Sequence, residues 1–77
     1  MEKHDLNHEF PELVNKIHEF KVSNNHFRKL FDEYHEVNKE IHRIETGAEV
    51  SKDEVLNELR IKRVHLKDEL YHILIKN

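Results

Sequence analysis

Residues 27–44 read FRKLFDEYHEVNKEIHRI, and in them Phe27, Leu30, Tyr34, Val37, Ile41 and Ile44 return at steps of three and four. That spacing puts all six on one side of an α-helix, where 3.6 residues make a turn. A second series, Leu56, Leu59, Leu66, Leu70 and Ile73, follows a gap that holds the only glycine, Gly47. Two apolar stripes of this length with so short a gap predict two helices folded back on each other.

Punctuation residues set the expected boundaries. Pro11 suits a first helical turn, where its missing N–H costs nothing, and Leu13, Val14, Ile17 and Phe20 follow at helical spacing. A short helix over about 11–21 is therefore expected, preceded by a frayed tail over 1–9. So short a helix is marginal alone in water and must dock on something. Asn24 is a good N-cap for a second helix over about 25–45. Gly47 is free to take the left-handed conformation that ends helices. Ser51 and Glu54 have capping-box spacing, opening a third helix that runs over about 52–76. The whole of 10–77 reads as one helical domain.

Composition narrows the class. The 77 residues include no cysteine, which removes disulfides and thiolate metal sites. With one glycine and one proline, the chain lacks turns for an all-β fold. A chain this short buries little surface, so regular helix packing or oligomerisation must compensate. The longest apolar run, Ile73-Leu74-Ile75, is far too short for a membrane span or signal-peptide core. A cytoplasmic protein is expected. Lys67-Asp68-Glu69-Leu70 spells an ER-retention signal, but that signal is read only at a C-terminus and here lies inside a helix.

The charges favour one orientation. Along the second helix run Arg28 and Lys29, then Asp32, Glu33 and Glu36, then Lys39 and Arg43. Read backwards, the third helix offers Asp68 and Glu69, then Arg63, Lys62 and Arg60, then Glu58, Glu54 and Asp53. Laid antiparallel, opposite signs meet along the length. Exposed pairs contribute only about 0–1 kcal/mol each, so they select orientation more than they stabilise. The predicted fold is all-α, an antiparallel, coiled-coil-like two-helix hairpin preceded by a short N-terminal helix.

Several stretches together resemble one family: Phe10-Pro11-Glu12, His26-Phe27 with Leu30, Tyr34 to Val37 with Asn38, Glu40-Ile41, and Leu66-Lys67-Asp68-Glu69-Leu70-Tyr71. In their order and spacing they are similar to the bacterial YdcH-like family of small uncharacterised proteins, over about residues 10–74. The family usually carries Asp-Pro where this chain has Asn24-Asn25. The resemblance implies a helical hairpin with a short leading helix and transfers no catalytic residue.

Eight histidines invite a metal reading. Helical ligands to one ion sit three or four apart, and only His4 and His8 do so, in the expected tail. His35 and His42, like His65 and His72, are seven apart, about 10 Å along a helix axis. They read as surface histidines, and neither a metal nor another cofactor is expected. Acids at Asp32, Glu33, Glu36 and Glu40 read as a solvated face, and two short helices form no concave pocket, so no enzyme is expected.

Two surfaces on the third helix remain as candidates. Ile61, Val64, Tyr71 and Ile75 form a second apolar line away from the first stripe. Either Phe10, Leu13, Ile17 and Phe20 of the short helix cover it or another subunit does. This line carries the first reading, a protein–protein interaction or assembly module that self-associates or binds an unknown protein partner. Arg60, Lys62, Arg63 and Lys67 carry the alternative, a basic stripe of a nucleic-acid-associated accessory protein. No aromatics interleave with it, and the net charge of −3 repels nucleic acid overall, so this alternative is disfavoured. Arg63 falls where the first stripe expects an apolar side chain. Its stem is expected to pack while its head reaches Glu33 or Glu36.

Overall fold

The computed structural model describes residues 5–76, which are all-α, with no strand among them. Four helices follow in order: α1 over Leu6–Glu9, α2 over Val14–Ser23, α3 over Asn25–Glu45 and α4 over Asp53–Lys76. A 3₁₀ turn over Pro11–Leu13 leads into α2. The molecule measures 39 × 21 × 16 Å. Its long axis is set by α4 alone, since 24 residues at 1.5 Å each span about 36 Å.

The last two helices pack against each other and carry most of the core. From α3, Phe27, Leu30, Tyr34, Val37 and Ile41 are buried, as their spacing predicts, and Ile44 is half-buried beside the turn that leads to α4. From α4, Leu66, Leu70 and Leu74 are buried, with Leu56, Leu59 and Ile73 partly buried against them. Leu74 lies outside the predicted stripe, yet it continues Leu66 and Leu70 at four-residue steps. It is fully buried, whereas Ile73, one position earlier, sits at the margin.

One residue separates α2 from α3. The Asn24 backbone is extended, its N–H closes α2 on the Phe20 carbonyl at 3.0 Å, and its side-chain oxygen accepts the Phe27 N–H at 2.9 Å. Asn24 thus ends one helix and caps the next, satisfying backbone groups that a helix terminus leaves orphaned. The reversal is sealed by the Phe20 and Phe27 rings, edge to face with centroids 5.7 Å apart.

Between α3 and α4 the chain turns at Gly47, whose φ of +81° a side chain rarely adopts. The Thr46 hydroxyl donates to the His42 carbonyl at 2.8 Å, and the Glu49 N–H to that of Arg43 at 3.0 Å. Arg43 also pairs with Glu40 and, at 3.6 Å, with Glu49. Its hydrogen bond holds the Glu40 carboxyl below the ordinary carboxylate range, while sharing a hydrogen bond with Glu40 pushes Glu49 up. The start of α4 differs from the expected Ser51–Glu54 capping box. Val55 and Leu56 donate to the Lys52 carbonyl at 3.1 and 3.3 Å, so the first turn closes one residue later than that box requires.

The N-terminal segment differs more. Residues 5–9 were expected as frayed tail; instead Asp5 accepts the His8 N–H at 3.0 Å and caps α1, and Leu6 is 1% exposed. The reason is periodicity. Leu6, Phe10, Leu13, Ile17 and Phe20 are spaced by four, three, four and three, so the apolar face of the short helix begins at Leu6. Pro11 interrupts the hydrogen bonding of this run without turning the face away from the core.

Candidate functional site

Helix α4 is apolar on two sides, and α3 covers only one. At 100° per residue, Leu66, Leu70 and Leu74 define the covered side. Ile61, Val64, Tyr71 and Ile75 fall within about 80° of one another on a different side. They are 58%, 48%, 38% and 52% exposed. Their spacing of three, seven and four is the a/d pattern of a heptad seam, with the exposed Asp68 in the central a position. Val14, Val22, Val50 and Val55 are exposed as well, each at a separate place in the sequence.

The short helix covers one edge of the seam and leaves the rest open. Phe10 stacks on Tyr71, with centroids 4.9 Å apart and planes 28° apart. Glu9 meets Lys67 at 3.6 Å. Leu13 packs against the central core, and Ile17 and Phe20 are buried within it. Of the four residues proposed as a cover, only Phe10 therefore meets the line through a ring contact, and it does so at Tyr71. Ile61, Val64 and Ile75 keep about half of their surface exposed among the described residues.

The basic residues are distributed differently. Arg60, Arg63 and Lys67 share one flank of α4, while Lys62 lies about 160° round the helix from Arg60. Arg60 is bound to Glu45 at 2.8 Å, Lys67 to Glu9 at 3.6 Å, and Arg63 donates to the Asn38 side chain at 3.4 Å. Arg63 is half-buried, so its stem packs as expected, but its head stands level with Asn38 rather than Glu33 or Glu36. The later start of α4 moves its residues along α3 relative to a turn centred on Ala48. Asn38 also hydrogen-bonds Tyr34, whose phenol burial pushes above its ordinary value.

The expected matching of charge blocks is thus realised only at a few points. Arg28 pairs with Asp32, Lys39 with Glu36 and Arg43 with Glu40, each within α3. An i,i+3 or i,i+4 partner is always within reach, whereas a cross-helix pair needs two long side chains to meet over the core.

Among the described residues, no three of His, Asp and Glu gather closely enough to hold a metal ion. His8, His18, His26, His35, His65 and His72 are exposed and His42 is half-buried, while His4 lies outside the described residues. No helix among the described residues is long and apolar enough to cross a membrane.

Comparison with curated proteins and with solved structures found no match. A family described as a protein of unknown function, DUF465, matches residues 27–74, nearly all of α3 and α4 with the turn between them. This is well over half of the chain and holds both the apolar core of the two long helices and the second line on α4 as far as Tyr71. The chain therefore belongs to this small family of uncharacterised YdcH-like proteins.

Proposed function

We propose that this chain is a non-enzymatic, cytoplasmic assembly module in which α3 and α4 form an antiparallel hairpin that self-associates through the outer face of α4. The observation that carries the reading is the exposure of Ile61, Val64 and Ile75 along one line of the longest helix. Solvent contact over such a line is unfavourable by about 25 cal/mol per Å² of apolar surface, and covering it recovers that amount. The antiparallel hairpin is supported by its cross-helix contacts. Arg60, early in α4, meets Glu45 at the end of α3, and Arg63, further along, reaches back to Asn38.

The nucleic-acid reading draws less support from the same surface. Three of its four cations already have protein acceptors, so phosphate would have to displace Glu45, Asn38 and Glu9. Lys62 stands apart from the other three.

Sedimentation equilibrium with circular dichroism tests the reading. The parent chain should sediment above its 9.4 kDa monomer mass. Val64→Glu with Ile75→Glu should return it to that mass with the helix signal retained, because both positions are already exposed. A parent chain that stays monomeric at about 1 mM, the concentration scale of the weakest specific association, would overturn the assembly role.

A further inference from the structure

The geometry points to a second copy of this chain as the occupant of the α4 seam, bound antiparallel with its two-fold axis level with His65. This inference rests on the assembly reading and adds the partner, its direction and its register.

The direction follows from the residues beside the seam. With Ile61, Asp68 and Ile75 at a and Val64 and Tyr71 at d, the flanking e positions hold Glu58, His65 and His72. The g positions hold Asp53, Arg60 and Lys67. A parallel, in-register pair sets each g against the partner's e five residues on. That places Asp53 beside Glu58, Arg60 beside His65 and Lys67 beside His72, with Asp68 facing its own copy in the seam. Acid meets acid, cation meets imidazole, and two carboxylates share an apolar layer, which is costly at every level.

Reversing one helix changes each of these contacts. With His65 meeting its own copy on the axis, the e positions pair Glu58 with the partner's His72, and the a and d layers set Ile61 against the partner's Tyr71. Imidazole donates an N–H to a carboxylate whether neutral or charged, so the Glu58 contact is favourable in both states. The Asp68 carboxylate, opposite the partner's Val64 in the seam, lies beside the partner's His65 and has a donor within reach. All of these side chains are exposed in the folded chain and available to a partner.

Two features of the fold agree with this register. Helix α4 spans Asp53–Lys76, so an axis at its middle overlaps the two helices over their full length, about 36 Å. The same register brings Lys67 toward its own copy, a like-charge contact, and His65 toward its own copy on the axis. Lys67 is already paired with Glu9 of its own chain at 3.6 Å, which offsets that repulsion.

The absence of cysteine makes a crosslinking test clean. Glu58→Cys and His72→Cys chains, both altered at exposed positions, are mixed in a thiol–disulfide buffer and the products weighed. The mixed disulfide should exceed both same-variant disulfides by about tenfold, since only that pair is held at high local concentration. Ile61→Cys alone should gain no disulfide beyond random collision. A preferred Ile61→Cys homodimer would make the pairing parallel. A statistical mixture of Glu58→Cys and His72→Cys products at dimer mass would mean another register or face. Either result overturns this inference and leaves self-association standing, whereas a monomeric parent chain removes both.

Discussion

The ring of Phe10 lies against that of Tyr71, centroids 4.9 Å apart, and ties the start of the chain to the outer half of α4. The neighbouring Glu9–Lys67 pair, at 3.6 Å, fastens the same segment from beside it. Phe10→Ala removes the stack and part of the cover over Tyr71. It should cost about 1–2 kcal/mol, the worth of an aromatic pair plus partial burial. Denaturant midpoints check this, and a shift equivalent to less than about 0.5 kcal/mol would mean the stack does not hold the segment.

Leu6 offers a sharper test of the same segment. Its side chain is 1% exposed, so Leu6→Ala should destabilise by about 2–3 kcal/mol through lost burial and residual cavity. Hydrogen exchange should quicken first at the amides of residues 8–10, which bond within α1. Unchanged stability would restore the picture of a frayed tail.

Two labels test the hairpin. Phe27 and Leu70 are fully buried, and the exposed neighbours His26 and Glu69 accept cysteine substitution without touching the core. In an antiparallel hairpin, labels at these two positions lie near the same end. A separation above about 30 Å, the length of a twenty-residue helix, would exclude that arrangement.

Tyr34 gives the stability a dependence on alkali. Burial holds its phenol in the neutral form, so its folded pKa lies above the unfolded value near 10. The contribution is fully present below pH 10 and is lost as pH rises through the folded value, because the unfolded chain releases the proton first. Tyr34→Phe should be less stable at pH 8, by about 1 kcal/mol for the lost Asn38 hydrogen bond, yet lose less on going to pH 11. Parallel melting curves would refute this.

Gly47 isolates a backbone effect. At φ +81° an added Cβ meets nothing within 4 Å, so Gly47→Ala should cost about 1 kcal/mol from conformation alone. A loss of several kcal/mol would mean the turn is packed in a way this geometry does not contain.

Much of the architecture is local, and so was legible in the sequence. A helix stripe depends on residues three and four apart, which is why Phe27 through Ile41 mark the buried face of α3 without reference to anything else. Asn24 and Gly47 act on backbone groups within a few positions and are likewise readable. The second apolar line on α4 is visible by the same arithmetic. Leu6 and Leu74 carried the same signal. Leu6 opens the four-and-three spacing across Pro11, and Leu74 lies four residues past Leu70.

What spacing cannot contain is which of two apolar faces another helix will cover, or where along it. Ile61 and Leu66 are equally apolar, and only the packing of α3 over one side of α4 leaves Ile61 in water and removes Leu66 from it. The same holds for charge. Arg63 could reach several acceptors, and its partner became Asn38 because the start of α4 sets the level at which the two helices meet. Burial and pairing are properties of two surfaces in contact, while periodicity describes only one of them.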